Sequence, residues 1–271
     1  MRNDESSYQA ARQYQADHPG VSYTRAKRIV TAATPSTRAP LATSFPGDDG
    51  QPVAVNLEWA SGPHALLIGA DAPALLPALA DKLSAEQDER DLEIIYSTAQ
   101  LPTYRIRAEH THIPHLQLVE HVDSLACTRQ SMLREFDVPD IEKARAHGHR
   151  IPTVVVFIDR PDLELTEAIL GWSRIGRSLG IDFVVAGESA PAPEGSGAEA
   201  DGDRYCGNLD RAVPEMDYLR KSGMFRVIVS VVSAGRAALV IDDTRPRADT
   251  VKRIAEFRYG SAAGPRPVAR P

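Results

Sequence analysis

The sequence feature that most constrains the fold is the run TVVVFID at positions 153–159, which is apolar and mostly β-branched. A strand without a polar face has to be covered on both sides, which is typical of a parallel sheet between layers of helices. A helix is predicted from Leu163 to Leu179, closed by Gly180 in the left-handed conformation, and the apolar run IDFVVAG follows it. Strand, helix and strand in this order predict a right-handed crossover and therefore an α/β fold.

The rest of the chain between residues 52 and 243 continues this alternation. Strands are predicted for PVAVNL, HALLIG and LEIIYST, and helices for residues 72–90 and for the stretch EHVDSLACTRQSMLREF. Two further apolar runs, MFRVIVSVV and AALVIDD, predict a hairpin at the edge of the sheet. We therefore expect one main α/β domain with a mainly parallel sheet.

Charge and cysteine content limit the classes of function. The chain has 271 residues with a formal net charge of −6, and its two cysteines have no CxxC spacing. An acidic chain is a poor general coat for nucleic acid, and isolated cysteines indicate neither a zinc site nor a redox pair. No apolar run approaches the length of a membrane span and the first residues are polar, so we expect a cytoplasmic protein without direct membrane insertion.

The positive charge is concentrated at the N-terminus, where the first 40 residues hold six Lys and Arg against three Asp and Glu. Residues 1–40 are predicted to form a basic helical hairpin followed by a proline-containing linker. Its candidate contacts to DNA or to a partner are Arg25, Lys27 and Arg28. Residues 41–258 form the predicted main domain, with a flexible acidic loop at 190–203, and a disordered tail is predicted for 259–271.

The turn after HALLIG is the best-placed position for binding an anion, because a loop between a buried strand and a helix presents backbone amides. A phosphate-binding loop reads GxxxxGK[ST], and this turn keeps only its first glycine. The positions to compare are Gly69, Ala70, Asp71, Ala74, Leu75 and Leu76. Ala74 replaces the second glycine, while Leu75 and Leu76 replace the lysine and the magnesium-binding hydroxyl. By composition alone, this is an ordinary connection from a strand to a helix.

Asp159 ends the central apolar run at the edge of the sheet where ligands of α/β proteins bind. A carboxylate there can hold Mg²⁺ through water, as in a Walker B site, but the next residue, Arg160, cannot act as a general base. The alternative is that Asp159 caps the turn before Pro161. Arg174 and Arg177 lie one turn apart near a helix C-terminus, where cations commonly offset the helix dipole.

A cluster of histidines raises the question of a metal site. The cluster consists of His110, His112, His115 and His121. The spacing of HTHIPH matches no helical or tight-turn arrangement of ligands, and Pro114 interrupts it. We assign no metal to this chain.

With these residues in view, the main domain resembles the FtsK/SpoIIIE family of ring-forming P-loop ATPases, and most closely the EccC-type modules of type VII secretion. The resemblance runs from about Leu41 to Ala190. The family pattern GPH.LLIGATGSGKS aligns with GPHALLIGADAPALL, LPHV with IPHL, VVVDEF with VVVFID, and GRLGRSLGVHLLLASQ with WSRIGRSLGIDFVVAGES. This resemblance implies a RecA-like P-loop NTPase fold with a mainly parallel sheet, preceded in this chain by the short helical hairpin. It also implies that His115 and Arg177 occupy positions that belong to the family pattern.

Departures from the family pattern fall on its catalytic positions. Besides Leu75 and Leu76, Arg160 stands where the family has the glutamate that activates water. Glu188 replaces the glutamine at the sensor position of the family. Phosphoryl transfer depends on the groups that are replaced. These departures from the family pattern therefore predict a non-catalytic protein, a pseudo-ATPase. We expect it to have no cofactor and to bind neither ATP nor Mg²⁺.

Such a chain is expected to serve as an adaptor, regulator or ring partner of a nucleotide-driven translocase in protein secretion or DNA transfer. Its partner is then a protein, either an active FtsK/SpoIIIE-like ATPase or a secretion substrate, and Arg174 or Arg177 is a candidate for acting in trans or at an interface. Three alternatives stay open: an ATP-binding sensor or weak ATPase, a DNA-binding accessory protein using the basic hairpin, and a peptide-binding module for secreted substrates.

Overall fold

A computed structural model describes residues 12–16, 22–23, 26, 41–57, 64–88, 90–99, 110–190, 209, 211–225, 227–233, 235–242 and 251–259. The contacts divide the chain into two compact units, Met1–Ala39 and Pro40–Pro271. In the first unit, residues 12–16 are helical and the guanidinium of Arg12 lies 5.3 Å from the ring centroid of Tyr23. Arg25, Lys27, Arg28, the predicted acidic loop and the predicted tail fall outside the described residues, except for Ala190 and Tyr259 at their margins.

The second unit is built on an eight-stranded sheet. Its strands are β3 (Ala65–Ile68), β4 (Leu92–Thr98), β5 (Thr111–Pro114), β6 (Thr153–Asp159), β7 (Ile181–Gly187), β8 (Val227–Ser233), β9 (Arg236–Asp242) and β10 (Val251–Arg258). Their order in the sheet is β10-β9-β8-β3-β7-β6-β4-β5. All neighbours from β5 to β8 pair in parallel, and β8, β9 and β10 pair antiparallel. A separate antiparallel pair is formed by β1 (Ala42–Pro46) and β2 (Pro52–Asn56).

Helices cover both faces of the sheet, as a central strand without a polar face requires. The five helices of the second unit with assigned bounds are α1 (Ala72–Glu86), α2 (His115–Glu135), α3 (Ile141–Ala146), α4 (Leu163–Leu179) and α5 (Pro214–Lys221). The apolar residues of α1 share one core with β1 and β2, whereas those of the other four helices share a second core on the opposite face. No helix among the described residues is long and apolar enough to cross a membrane.

The crossover predicted around the central strand is confirmed. All seven residues of β6 and all seven of β7 are buried. The side chain of Asp162 accepts a hydrogen bond from the amide of Leu165 and so caps the start of α4, and Gly180 ends that helix with φ of 66°. The prediction of an α/β fold with a mainly parallel sheet is therefore also confirmed.

Two predictions are wrong: the place of the last predicted hairpin in the sheet and the start of helix α2. The hairpin β8–β9 does not form the edge of the sheet, because β8 pairs with β3 in the interior and β10 occupies the edge. The sequence of β10, VKRIAEFR, is too charged to predict a strand, although charged residues are common on edge strands. Helix α2 begins at His115, five residues before its predicted start, immediately after the short strand β5.

Candidate functional site

The turn between β3 and α1 is short and is closed by backbone hydrogen bonds. Gly69 has φ of 149°, and a Cβ atom at this position would lie 2.0 Å from the carbonyl oxygen of Val231. Only glycine fits so close to the neighbouring strand. The amide of Gly69 donates to the carbonyl of Gly187, and the amide of Ala72, the first residue of α1, donates back to Gly69.

The residues that follow this turn belong to the core. Leu75 and Leu76 are 1% and 0% exposed and contribute to the same core as Tyr96. The hydroxyl of Tyr96 donates a hydrogen bond to the carbonyl oxygen of Leu76 at 3.3 Å. Ala70 and Ala74 are exposed and Asp71 is half-buried. Two buried leucines therefore stand at the positions that hold lysine and a hydroxyl residue in a phosphate-binding loop.

Two backbone amides near the start of α1 also donate hydrogen bonds to carbonyl groups of this chain. The amide of Ala72 bonds to the carbonyl of Gly69, and the amide of Ala74 bonds to that of Asp71. Pro73 has no amide hydrogen to donate. These three positions consequently offer no N–H group to a ligand.

Asp159 is paired with the residue that follows it. Arg160 donates from Nε to Oδ1 of Asp159 at 3.0 Å and from Nη2 to Oδ2 at 3.4 Å, and from Nη1 to Oε1 of Glu188 at 3.1 Å. The hydrogen bond to Asp159 raises the pKa of Arg160, and the nearby charge of Glu188 acts in the same direction. The structure thus brings three of the predicted site residues, Asp159, Arg160 and Glu188, into one network at the carboxyl ends of β6 and β7.

The backbone at Arg160 is in an uncommon conformation. Its φ is 52°, in the left-handed region, and its amide donates to the carbonyl of Ala186 at 2.8 Å. For a side chain with a Cβ atom, this conformation costs roughly 1 kcal/mol. In this conformation the guanidinium of Arg160 bonds to Asp159, the last residue of β6.

A shallow open cleft of about 240 Å³ adjoins this network. It is lined by Arg160, Pro161, Gly187, Glu188, Val213, Glu215 and Met216. Gly187 is packed tightly, because an added Cβ atom would lie 2.2 Å from Cγ of Met216. The cleft is therefore formed where the ends of β6 and β7 meet the start of α5.

The histidines after β4 are held by separate partners. Nε2 of His110 lies 2.9 Å from the hydroxyl of Ser84, and Nε2 of His112 lies 2.9 Å from that of Thr98. His115 is 8% exposed, and its Nε2 has no hydrogen-bond partner within the structure as described. Among the described residues, no group of three or more His, Cys, Asp and Glu side chains has the geometry of a metal site.

Burial lowers the pKa of His115, whereas a hydrogen bond to the backbone of Ser97 and the charges of Asp162 and Asp159 oppose this shift. The hydroxyl oxygen of Ser97 is itself buried without a partner in the described structure. His115 and Ser97 thus leave two polar atoms unsatisfied beside the carboxyl ends of β4 and β6.

Arg174 and Arg177 are not brought together with these groups. Both are exposed on α4, and neither takes part in an ion pair between described residues. The helix starts beside Asp162, so at 1.5 Å per residue the two arginines lie roughly 18 and 22 Å along its axis from that end. Within this chain they cannot act on a group bound near Asp159.

Among the buried polar side chains that were not predicted from the sequence, His64 and Arg129 bond to the backbone of neighbouring elements. His64 lies between elements, with Nε2 at 3.0 Å from the carbonyl of Ser173 and Nδ1 at 3.2 Å from the amide of Phe183. Arg129 donates to the carbonyls of Leu179, Gly180 and Pro152 at 2.5, 2.8 and 2.7 Å. The signal for Arg129 was its position on the apolar face of α2, between Ala126 and Leu133.

The structure is similar to several solved ATPases. The cytoplasmic domain of the type VII secretion ATPase EccC from Thermomonospora curvata superposes with a TM-score of 0.57 at 18% identity, over 86% of this chain and 30% of that one. A second structure, EccC ATPases 2 and 3 from the same organism in complex with a signal sequence peptide, gives 0.50 at 13% identity, over 85% and 43%. The pCW3 conjugation coupling protein TcpA, in its monomer form with ATPγS, gives 0.50 at 11%, over 94% and 82%.

These likenesses show the fold. The prediction of a RecA-like P-loop ATPase fold, resembling the FtsK/SpoIIIE-type modules of secretion and conjugation proteins, is confirmed. The chain spans about 30% of the length of the first EccC structure. No family model matches the sequence, and no curated protein is similar to it in sequence.

Proposed function

We propose that this chain is a non-catalytic FtsK/SpoIIIE-like protein that acts as an adaptor, regulator or ring partner of a nucleotide-driven translocase. The observation that carries the proposal is the burial of Leu75 and Leu76, which are 1% and 0% exposed at the start of α1. Phosphoryl transfer needs a lysine on the phosphates and a hydroxyl on the metal at these positions. Leucine side chains in the core supply neither.

The surroundings of the turn do not fit a triphosphate with its Mg²⁺. The amides of Ala72 and Ala74 are already bonded to carbonyl groups of the chain. Both oxygens of Asp159 accept hydrogen bonds from Arg160, so a fixed cation stands where a metal would need the carboxylate. Arg160 has no basic lone pair to activate water at neutral pH.

A protein is the partner that we propose. The fold is shared with proteins of secretion and conjugation, and one solved EccC structure holds a signal sequence peptide. The same likeness leaves a peptide-binding module for secreted substrates as the second candidate. Arg174 and Arg177, exposed and distant from Asp159, are suited to contacts with a neighbouring subunit rather than with a ligand of their own chain.

The test is phosphate release by the isolated chain at saturating Mg-ATP, with equilibrium binding of labelled ATP measured in parallel. We expect neither turnover nor saturable binding. Turnover that disappears in the Asp159→Ala variant would establish an ATPase, and binding without turnover would establish a nucleotide sensor. Either result would overturn the proposed role.

A further inference from the structure

Helices α2 and α4 run side by side in a fixed register. Nε1 of Trp172 donates to Oδ1 of Asp123 at 2.7 Å, and Arg129 donates to the carbonyls of Leu179 and Gly180. These three contacts join residues that are 49, 50 and 51 positions apart in sequence. A constant separation means that the two helices are parallel and that their first turns lie at the same level.

The solvent side of this helix pair carries an exposed leucine at one end and an exposed isoleucine at the other. Leu116 is 96% exposed, and it lies two turns before Asp123 on the side of α2 that faces α4. Ile175 is 38% exposed and lies one turn after Trp172, next to the same seam. Leu116 is level with residues 165–166 of α4, so the two apolar side chains are roughly 14 Å apart along the helices.

The surface between these two residues is open and acidic. We call it the α2–α4 groove and define it by Leu116, Glu120, Asp123, Glu164, Gly171 and Ile175. A Cβ atom added to Gly171 would meet nothing within 4 Å. The three carboxylates are exposed, and no ion pair between described residues involves them. The residues that define the groove are thus two apolar anchors, three carboxylates and a glycine, and the exposed Arg174 lies next to Ile175 on α4.

We propose that the α2–α4 groove binds an amphipathic helix of a partner protein, in which lysine or arginine residues flank leucine-type side chains. A groove between two parallel helices accepts a third helix, and the distance between Leu116 and Ile175 corresponds to between two and three of its turns. The carboxylates select for a basic partner, because unlike charges across an interface steer association and fix orientation. The inference deepens the adaptor function proposed above and rests on it.

The test uses the full chain and a fluorescein-labelled helical peptide of leucine, alanine, lysine and arginine, followed by fluorescence anisotropy. Saturable binding is expected, weaker at high salt, and absent for the same peptide with glutamate in place of its basic residues. Leu116→Ser and Gly171→Leu each alter an exposed position, and each should weaken binding about tenfold. Circular dichroism confirms that both variants are folded.

Matched controls separate the groove from the general acidity of the chain. Leu163→Ser removes an exposed leucine from the far side of α4, and Tyr218→Ser removes an exposed aromatic residue from α5. The double variant Glu93→Gln/Glu135→Gln removes two exposed carboxylates elsewhere. Each control should bind within about twofold of the wild type, whereas Glu120→Gln/Glu164→Gln should lose most of the affinity.

Equal losses in the controls, or equal binding of the acidic peptide, would overturn the proposal. Sedimentation velocity addresses another occupant: a dimer of the wild-type chain that Leu116→Ser abolishes would assign the groove to a second copy and contradict a heterologous partner. Phosphate release is measured on the same samples. An ATPase that binds the peptide would refute the non-catalytic role alone, and an inactive chain that does not bind it would refute the groove alone.

Discussion

The hydroxyl of Tyr96 bonds to the carbonyl oxygen of Leu76 at 3.3 Å, and both side chains are buried in the core that α1 shares with the sheet. Strand β4 and the first turns of α1 are therefore joined by packing and by a hydrogen bond. A phosphate-binding loop cannot be restored here by exchanging single residues, because the side chains at these positions point into a closed core.

The first prediction concerns Leu75→Lys. Lysine at a position that is 1% exposed would bury an unpaired charge, so the free energy of unfolding should fall by about 3 kcal/mol or more. Urea denaturation measures this loss, and Ala74→Lys, at the exposed neighbouring position, is the control that should leave stability nearly unchanged. A Leu75→Lys protein as stable as the wild type would show that the side chain has an outlet to solvent.

The second prediction concerns Arg129, whose guanidinium is bonded to three carbonyl groups. Burial lowers its pKa to about 10, so it is still charged at neutral pH. Arg129→Ala would leave those carbonyls unsatisfied, and the free energy of unfolding should fall by about 3 kcal/mol. Arg134→Ala, on the exposed side of the same helix, should change it by less than about 0.5 kcal/mol. Equal effects of the two substitutions would contradict a stabilising role for the hydrogen bonds of Arg129.

The central part of the fold could be predicted from the sequence because its signals are local. The run TVVVFID and the cap Gly180 fix β6 and the end of α4 without reference to any other part of the chain. The place of β8 inside the sheet could not be predicted in this way, since it depends on pairing with β3, more than 150 positions earlier. Tertiary pairing of this kind leaves little trace in composition or periodicity.

The candidate site, like the fold, could be predicted from the sequence only in part. Proximity of Asp159 to Glu188 follows from the pairing of β6 with β7, which a crossover unit predicts. Pairing of Arg160 with both carboxylates could not be predicted, because it depends on a left-handed backbone at that residue. Nothing in the residue type signals such a conformation, which is uncommon outside glycine, asparagine and aspartate.

The third prediction tests that conformation. Arg160 is held at φ of 52°, where glycine has no steric penalty and alanine has one. Both substitutions leave the buried carboxylate of Asp159 without its hydrogen bonds from Arg160, so this loss is common to the two variants and cancels in their comparison. Arg160→Gly should be about 1 kcal/mol more stable than Arg160→Ala in thermal unfolding. Equal stabilities would mean that the turn relaxes to a different backbone.

The fourth prediction is a pH dependence that originates at His115. Burial lowers the pKa of His115 in the folded chain, although Asp162 and Asp159 partly oppose this. Below the ordinary histidine pKa of about 6.5 the unfolded chain binds a proton that the folded chain binds only at lower pH, so stability falls as the pH drops through this range. His115→Gln should flatten this loss, whereas His121→Gln, exposed on the same helix, should not. Melting temperatures between pH 7.5 and 5 measure it, and parallel curves for wild type and His115→Gln would refute the assignment.

The last prediction concerns the division of the chain into the units Met1–Ala39 and Pro40–Pro271. The core of the second unit is formed by its own strands and helices on both faces of the sheet, so deletion of residues 1–39 should leave a folded protein whose melting temperature lies within a few degrees of the wild type. The removed segment carries all six basic residues of the first 40, and any salt-sensitive binding to duplex DNA should disappear with it. An insoluble or unfolded truncated chain would show that the segment is needed for folding. Unchanged DNA binding after truncation would instead place the contact on the second unit, despite its excess of acidic residues.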